Sequence, residues 1–332
     1  MALAIGENSR SPRVQGKTEI RFESEIEQFK HGSLGSGFGL PYYLWKVLPT
    51  MFSEKLPGPG GWSSFGLIVE KGKDIPVGFS LRKRIYPSLR PNCALCHTGT
   101  YRTSPTNEPV VVVGGPAHEL DFDRFNRFVY DCVKDPRFTS KNVLRQIKST
   151  AKLSWFEQGF YRFILLPGIK WKLLAEKKKL EWQALRPPTG RGRTDAFNRL
   201  KFNLVRLPED QSIGTSDYPP LWNQQTRHGQ WIHWNGSGNR ITEENLLSLL
   251  PVIGSARAYS PEPFRALTNF LWDLKPPRFP FPVNSERAAQ GERVHVDQLR
   301  GAAREPARGR AVRPREGRVH RRGREQDRPA RG

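Results

Sequence analysis

The sequence predicts a mainly α fold with long loops and little sheet, followed by a disordered Arg-rich tail. Three observations predict it. Apolar residues recur at helical spacing in one segment after another. Only Val110–Val113 reads as a strand, and Gly114-Gly115-Pro116 closes it. The composition breaks near the end: residues 301–332 hold 11 Arg, four acids, no Lys and no aromatic residue. Such a segment has too little apolar area to offset the entropy of ordering it. The expected divisions are a poorly ordered segment 1–21, a first domain over 22–135, a helical and loop region over 136–290 packing on it, and a tail over 291–332.

Taken in order, residues 22–30 read as a short helix. Residues 31–40, with four Gly, read as a loop. Residues 41–51 (PYYLWKVLPTM) are apolar and expected to be helical, and 55–66 are rich in turn residues. Ser88-Leu89-Arg90-Pro91-Asn92 does not read as a strand. From Asp121, Phe122, Phe125, Val129 and Cys132 recur at three- and four-residue spacing, with Asp121 and Asp123 where a helix N-terminus favours negative charge. Further helices are expected at about 140–151, 154–166 and 170–185. Residues 186–240 read as polar loop with one helix near 217–224, and helices return at 242–251 and 262–273.

The 332 residues carry a formal charge of +22, and 9 Trp, 19 Phe and 8 Tyr are ample for a core. Three Cys exclude a disulfide-dense scaffold. No run of about 18 apolar residues predicts a transmembrane helix. The apolar start Met1–Ile5 is broken at once by Gly6-Glu7-Asn8-Ser9-Arg10, so no signal peptide is read in this chain.

Cys93-Ala94-Leu95-Cys96-His97 has the C-x-x-C-H spacing that attaches c-type haem. Thiols three residues apart fall on one side of a helical turn and reach both haem vinyl groups as thioethers. The adjacent His97 then offers its imidazole to the iron as proximal ligand. A thioredoxin-like pair would lie beside a βαβ unit, and a zinc site would need four ligands where only Cys132 remains. One haem c is therefore expected on Cys93, Cys96 and His97. Such haem is assembled outside the cytoplasmic membrane, so a periplasmic protein is expected, with its natural N-terminus upstream of this chain.

The iron's second axial ligand decides between functions. Met51 is the one internal Met, and His31, His118, His228 and His233 are the other candidates. Each His is also accounted for as a surface or core residue. A filled position suits electron transfer with a redox partner protein; an open one suits O₂ or peroxide. Trp45, Trp62, Phe65, Trp222, Trp231 and Trp234 fit an apolar haem pocket, and ordinary core packing explains each of them equally well.

The stretches GLPYYLWKVLP (39–49), LPGPGGWSSFG (56–66), IPVGFS (75–80), NCALCHTGTYR (92–102), GRGRTDAFN (190–198), IGTSDYPPLWNQ (213–224) and HWNGSGNRITEENL (233–246) resemble the bacterial di-haem cytochrome c family of the rubber-oxygenase type, which is related to di-haem cytochrome c peroxidases. The resemblance implies a cytochrome c-like haem domain in a periplasmic oxidoreductase with two haems, the first on Cys93, Cys96 and His97. The family's second C-x-x-C-H is expected shortly after Gln298, where this chain reads Leu299-Arg300-Gly301-Ala302-Ala303-Arg304. One extra base turns codons for Cys-Ala-Ala into Leu-Arg-Gly, so the tail is expected to be an out-of-frame translation and the chain a truncated fragment.

Arg186, Arg191 and Arg193 are candidates for haem propionates or for nearby carboxylates. Lys170, Lys172 and Lys177–Lys179, after the apolar Phe163–Pro167, suit an anionic membrane surface or a solvated helix face. Cys132 reads as a buried free thiol. The high positive charge also raises nucleic-acid binding, but the tail lacks aromatic residues for base stacking, so no nucleic-acid partner is expected.

Overall fold

The computed structural model describes residues 18–34, 39–83, 85–232, 236, 238–253, 259–286 and 288–290. Most of the segment expected to be poorly ordered, the whole Arg-rich tail, and the candidates His233 and Trp234 lie outside the described residues. Residues up to Arg278 belong to one compact unit and Phe279 onward to a second. In the second, the rings of Phe279 and Phe281 meet at 5.5 Å, and a helical turn runs from Asn284, whose carbonyl accepts from Ala288 N–H.

The first unit is mainly helical. Helix α1 (Thr18–His31) already covers the end of the expected disordered segment. α2 (Tyr42–Met51) buries Leu44, Trp45, Val47 and Leu48, and ends two residues after Pro49, which cannot donate into the helix. α3 (Phe122–Lys134) starts where the Asp121 carboxylate accepts from Arg124 N–H. It buries Phe125, Phe128, Val129, Cys132 and Val133, one continuous stripe. Thr139 caps α4 (Ser140–Thr150), and Ser154 with Glu157 forms a capping box on α5 (Trp155–Phe160).

The two helices expected over 154–185 are one continuous helix for most of that length. α5 passes through a π turn (Tyr161–Leu165) into α6 (Leu166–Lys179). Pro167 supplies the reason: it has no N–H for the Phe163 carbonyl and its ring crowds that turn, so the backbone widens there. A 3-10 turn (Glu181–Leu185) follows. The short α7 (Ala196–Asn198), capped by Asp195, runs into a second π turn (Arg199–Leu204) within the expected loop region. α8 (Ile241–Ile253) and α9 (Pro261–Asp273) stand where expected.

Among the described residues, sheet is limited to short antiparallel pairings. β1 (Leu40–Pro41), β2 (Phe79–Lys83) and β3 (Pro87–Pro91) form a sheet in the order β1-β3-β2. β4 (Thr98–Tyr101) pairs with β5 (Val110–Val113), and β6 (Arg193–Asp195) with β7 (Thr215–Asp217). Two expectations are corrected here. Ser88–Pro91 is a strand, the middle one of its sheet; its prolines sit only at the two ends, where a missing donor costs least. The sheet is antiparallel and contains no βαβ unit. Residues 217–224 are not a helix, because Pro219 and Pro220 lack N–H groups and hold the residues before them extended.

The main core centres on Trp45, stacked on Trp62 at 3.8 Å and ringed by Phe65, Phe79, Phe125 and Phe128. Trp45, Trp62 and Phe65 are thus ordinary core. A second cluster joins Phe29 of α1 to Val77, Ala94 and the Leu267, Phe270 and Leu271 face of α9. Among the described residues, no helix is long and apolar enough to cross a membrane.

Candidate functional site

The Cys93–His97 segment follows directly from β3. Its first residues form a 3-10 turn (Cys93–Leu95), and His97 N–H closes an α-type turn onto the Cys93 carbonyl at 3.1 Å. Asn92 builds the turn. Its side-chain oxygen accepts from Ala94 N–H at 3.0 Å, while its amide donates to the carbonyls of Lys30 (3.2 Å) and Gly32 (3.0 Å) at the end of α1. Gly78 ties in the other side, accepting from Asn92 N–H at 2.8 Å and donating to the Lys30 carbonyl at 3.0 Å. The motif is therefore fixed to α1 and to the start of β2 before its side chains are considered.

His97 is held by a segment 122 residues further along the chain. Its Nδ1 lies 2.8 Å from the Pro219 carbonyl. A carbonyl only accepts, so Nδ1 carries the proton and the Nε2 lone pair is free. The carbonyl is itself positioned on both sides: Tyr218 N–H donates to Gly192, and Leu221 N–H donates to Gly114, next to the end of β5. Burial lowers the imidazole pKa to about 4, outweighing the carbonyl bond, so the ring is neutral at physiological pH.

Both thiols are free of disulfide and partly accessible. Burial pushes Cys93 up to about 12, with the neighbouring Cys96 thiol adding to the effect. Burial does the same to Cys96, against the pull of the Tyr218 hydroxyl and the Arg199 charge. A dithiol working in redox exchange or as a nucleophile needs the opposite shift. The sulfurs stand at a seam, Cys93 against the Phe29–Phe270 cluster and Cys96 against the main core.

Arg199 is the feature sequence reasoning missed. It lies over the Phe122 ring at 5.1 Å, near Cys96, with Nε and Nη2 buried and without a hydrogen-bond partner. Its nearest carboxylate oxygen, on Asp123, is 3.9 Å away. A guanidinium desolvated in this way is suited to a carboxylate. The expected propionate candidates are engaged elsewhere. Arg186 donates to the carbonyls of Trp182, Asp210 and Ser212, Arg191 pairs with Glu119 at 2.8 Å, and Arg193 pairs with Asp217 at 2.7 Å.

The second-ligand candidates are scattered. His31 Nδ1 lies 3.2 Å from the Phe79 carbonyl and Nε2 3.7 Å from Glu70. His118 is half exposed, Nδ1 3.3 Å from the Pro116 carbonyl and Nε2 3.9 Å from Glu119. Met51 packs at the edge of the main core, and His228 stands edge-on to Trp272. Trp222 donates to the Val113 carbonyl, and Trp231 is exposed. Cys132 is fully buried and free, as expected. Among the described residues, no group of three or more His, Cys, Asp or Glu is placed to hold a bare metal ion.

Over 112 residues the chain is 30% identical to an uncharacterized protein, y4iM, of Sinorhizobium fredii. The match covers 33% of this chain and spans only 26% of that protein's length. No family model matches the chain, and no solved structure matches it.

Proposed function

We propose that the protein is a c-type cytochrome that carries one haem on Cys93, Cys96 and His97, and that it resembles the oxygenase and peroxidase branch of di-haem cytochromes. The observation that carries this reading is the His97 Nδ1–H bond to the Pro219 carbonyl. It fixes the tautomer that leaves Nε2 free and holds the ring against rotation, which is what an axial haem ligand requires.

The residues present fit the group. The Asn92-capped turn sets the two thiols one helical turn apart, and Arg199 offers a desolvated cation for a propionate. When bound, the haem would supply one-electron or O₂ and peroxide chemistry. The chain's own residues would bind it, orient His97 and exclude water through Leu95 and the Phe29 cluster. His31 and His118 each hold only Nδ1 in a hydrogen bond, to the Phe79 and Pro116 carbonyls, so the choice between an accessible iron and a six-coordinate electron carrier falls to the spectrum. Maturation outside the cytoplasmic membrane, in the periplasm, follows from the thioether linkage.

Expression with the export-side haem ligation machinery tests the reading. Covalent haem should survive denaturation in the wild type and disappear in the C93A/C96A variant. A high-spin ferric spectrum that shifts with cyanide supports the accessible iron, whereas an unresponsive low-spin spectrum assigns an electron carrier. Colourless protein with both thiols free by mass spectrometry overturns the proposal.

A further inference from the structure

The continuous helix from Trp155 to Lys179 turns Tyr161, Leu165, Ile169 and Leu173 into the core. On the side away from them, Phe163, Pro167 and Trp171 recur every four residues. The exposed apolar side chains are large: Trp155 is 84% exposed, Phe156 68%, Phe163 71%, Ile164 64% and Trp171 74%. Gly159 and Gly168, on the same helix, have open space where a Cβ would stand. Single exposed apolar residues are unremarkable, but this many on one helix mark a surface that something covers.

The charge around the face says what covers it. Residues 137–175 contain eight Lys or Arg and a single acid, Glu157. That carboxylate is already committed to Ser154 in the capping box. Arg162 lies over the Phe163 ring at 5.3 Å, and Lys148 and Lys152 are exposed just before the helix. A second copy of the chain would bring these cations against themselves. Tryptophan and phenylalanine flanked by cations suit the boundary between lipid headgroups and acyl chains, where aromatic rings settle and basic side chains reach phosphate.

We propose that the Trp155–Trp171 face seats the protein on an anionic phospholipid surface, with Trp155, Phe163 and Trp171 in the interfacial layer and Lys148, Lys152 and Arg162 on the phosphates. The proposal is independent of haem. The full chain is sedimented with vesicles of phosphatidylcholine alone and of equimolar phosphatidylcholine and phosphatidylglycerol, at low and high salt. Binding to the anionic vesicles should exceed binding to the neutral ones by about tenfold or more and weaken with salt. Tryptophan emission should shift to the blue on binding. The F163S/W171S variant, altered only at exposed positions and checked for unchanged circular dichroism, should lose at least about tenfold in partitioning. K148E/K152E should lose most of the preference for phosphatidylglycerol. No binding to anionic vesicles, equal binding to neutral ones, or F163S/W171S binding as wild type overturns the proposal. So does a concentration-dependent dimer that F163S/W171S dissolves, which assigns the face to a second copy.

Discussion

Gly78→Ala tests how rigidly the Cys93–His97 turn is seated. Gly78 has φ +89°, and a Cβ there would stand 2.2 Å from Leu95 Cα and 2.3 Å from Leu95 N, where ordinary contact begins at 3.4 Å. Both atoms are backbone of the Cys93–His97 segment, so no side chain can swing aside. The left-handed backbone costs an alanine about 1–2 kcal/mol. Overpacking adds about 1–3 kcal/mol. Reduced freedom of the unfolded chain returns about 0.4–1 kcal/mol. The net loss is about 2–4 kcal/mol. Gly72→Ala is the control: its φ is +80° but nothing lies within 4 Å, so only the backbone cost applies, about 1 kcal/mol or less after the same return. The two variants differ by the overpacking of about 1–3 kcal/mol, so at about 2–4 °C per kcal/mol for a unit near this size, thermal unfolding followed by circular dichroism should place G78A roughly 2–12 °C below G72A. G78A should also bind less covalent haem, because its clash displaces Leu95. If the two variants melt together and load haem equally, the packing of Gly78 on the motif is not what fixes it.

The remaining predictions concern charge and packing. In haem-free folded protein, thiols raised to about 12 should alkylate at pH 8 at least about 10-fold more slowly than in urea, where their pKa is about 8.5, the higher nucleophilicity of the raised thiolates offsetting part of their scarcity; equal rates by mass spectrometry refute it. Because folded His97 titrates near 4 and the unfolded chain near 6.5, haem-free protein should lose stability as pH falls across that window, when only the unfolded state takes up the proton. A His97→Gln variant should lose that part of the slope in urea titrations. Glu70 lies below the ordinary carboxylate range although burial raises it, because Lys30 and Lys73 pair with it, and Glu27 is lowered mainly by Lys73. Their stabilisation is present above the unfolded pKa and is lost as pH falls through the folded values, so protection of α1 amides from hydrogen exchange should fall below about pH 4. Trp45→Ala removes a fully buried ring from the stack with Trp62 and should cost about 3–5 kcal/mol by denaturant unfolding.

The helices were readable where burial is one-sided. The stripe from Phe125 to Val133 and the Asp121 cap are both written locally, and so is the Cys93–His97 spacing. What escaped depends on partners distant in sequence. β3 was hidden by its terminal prolines, and its pairing with β1 and β2 gives no local signal. The expected helix at 217–224 is broken by Pro219 and Pro220, a signal the sequence itself carries. At the site, His97 is legible from its spacing but what holds it is not: Pro219 is 122 residues from His97, and Arg199 lies in a π turn within a polar, Gly- and Pro-rich stretch. Asp195, the buried cap of α7, was the available signal for that segment.

That 122-residue separation also sets a clock. A ribosome adding about 5–20 residues per second needs roughly 6–25 s to make the chain between His97 and Pro219. During that interval the nascent segment has no carbonyl to grip its imidazole, and neither sulfur is yet enclosed. The grip on the imidazole therefore closes only after the chain through Pro219 exists, which places this contact late in the folding of the unit.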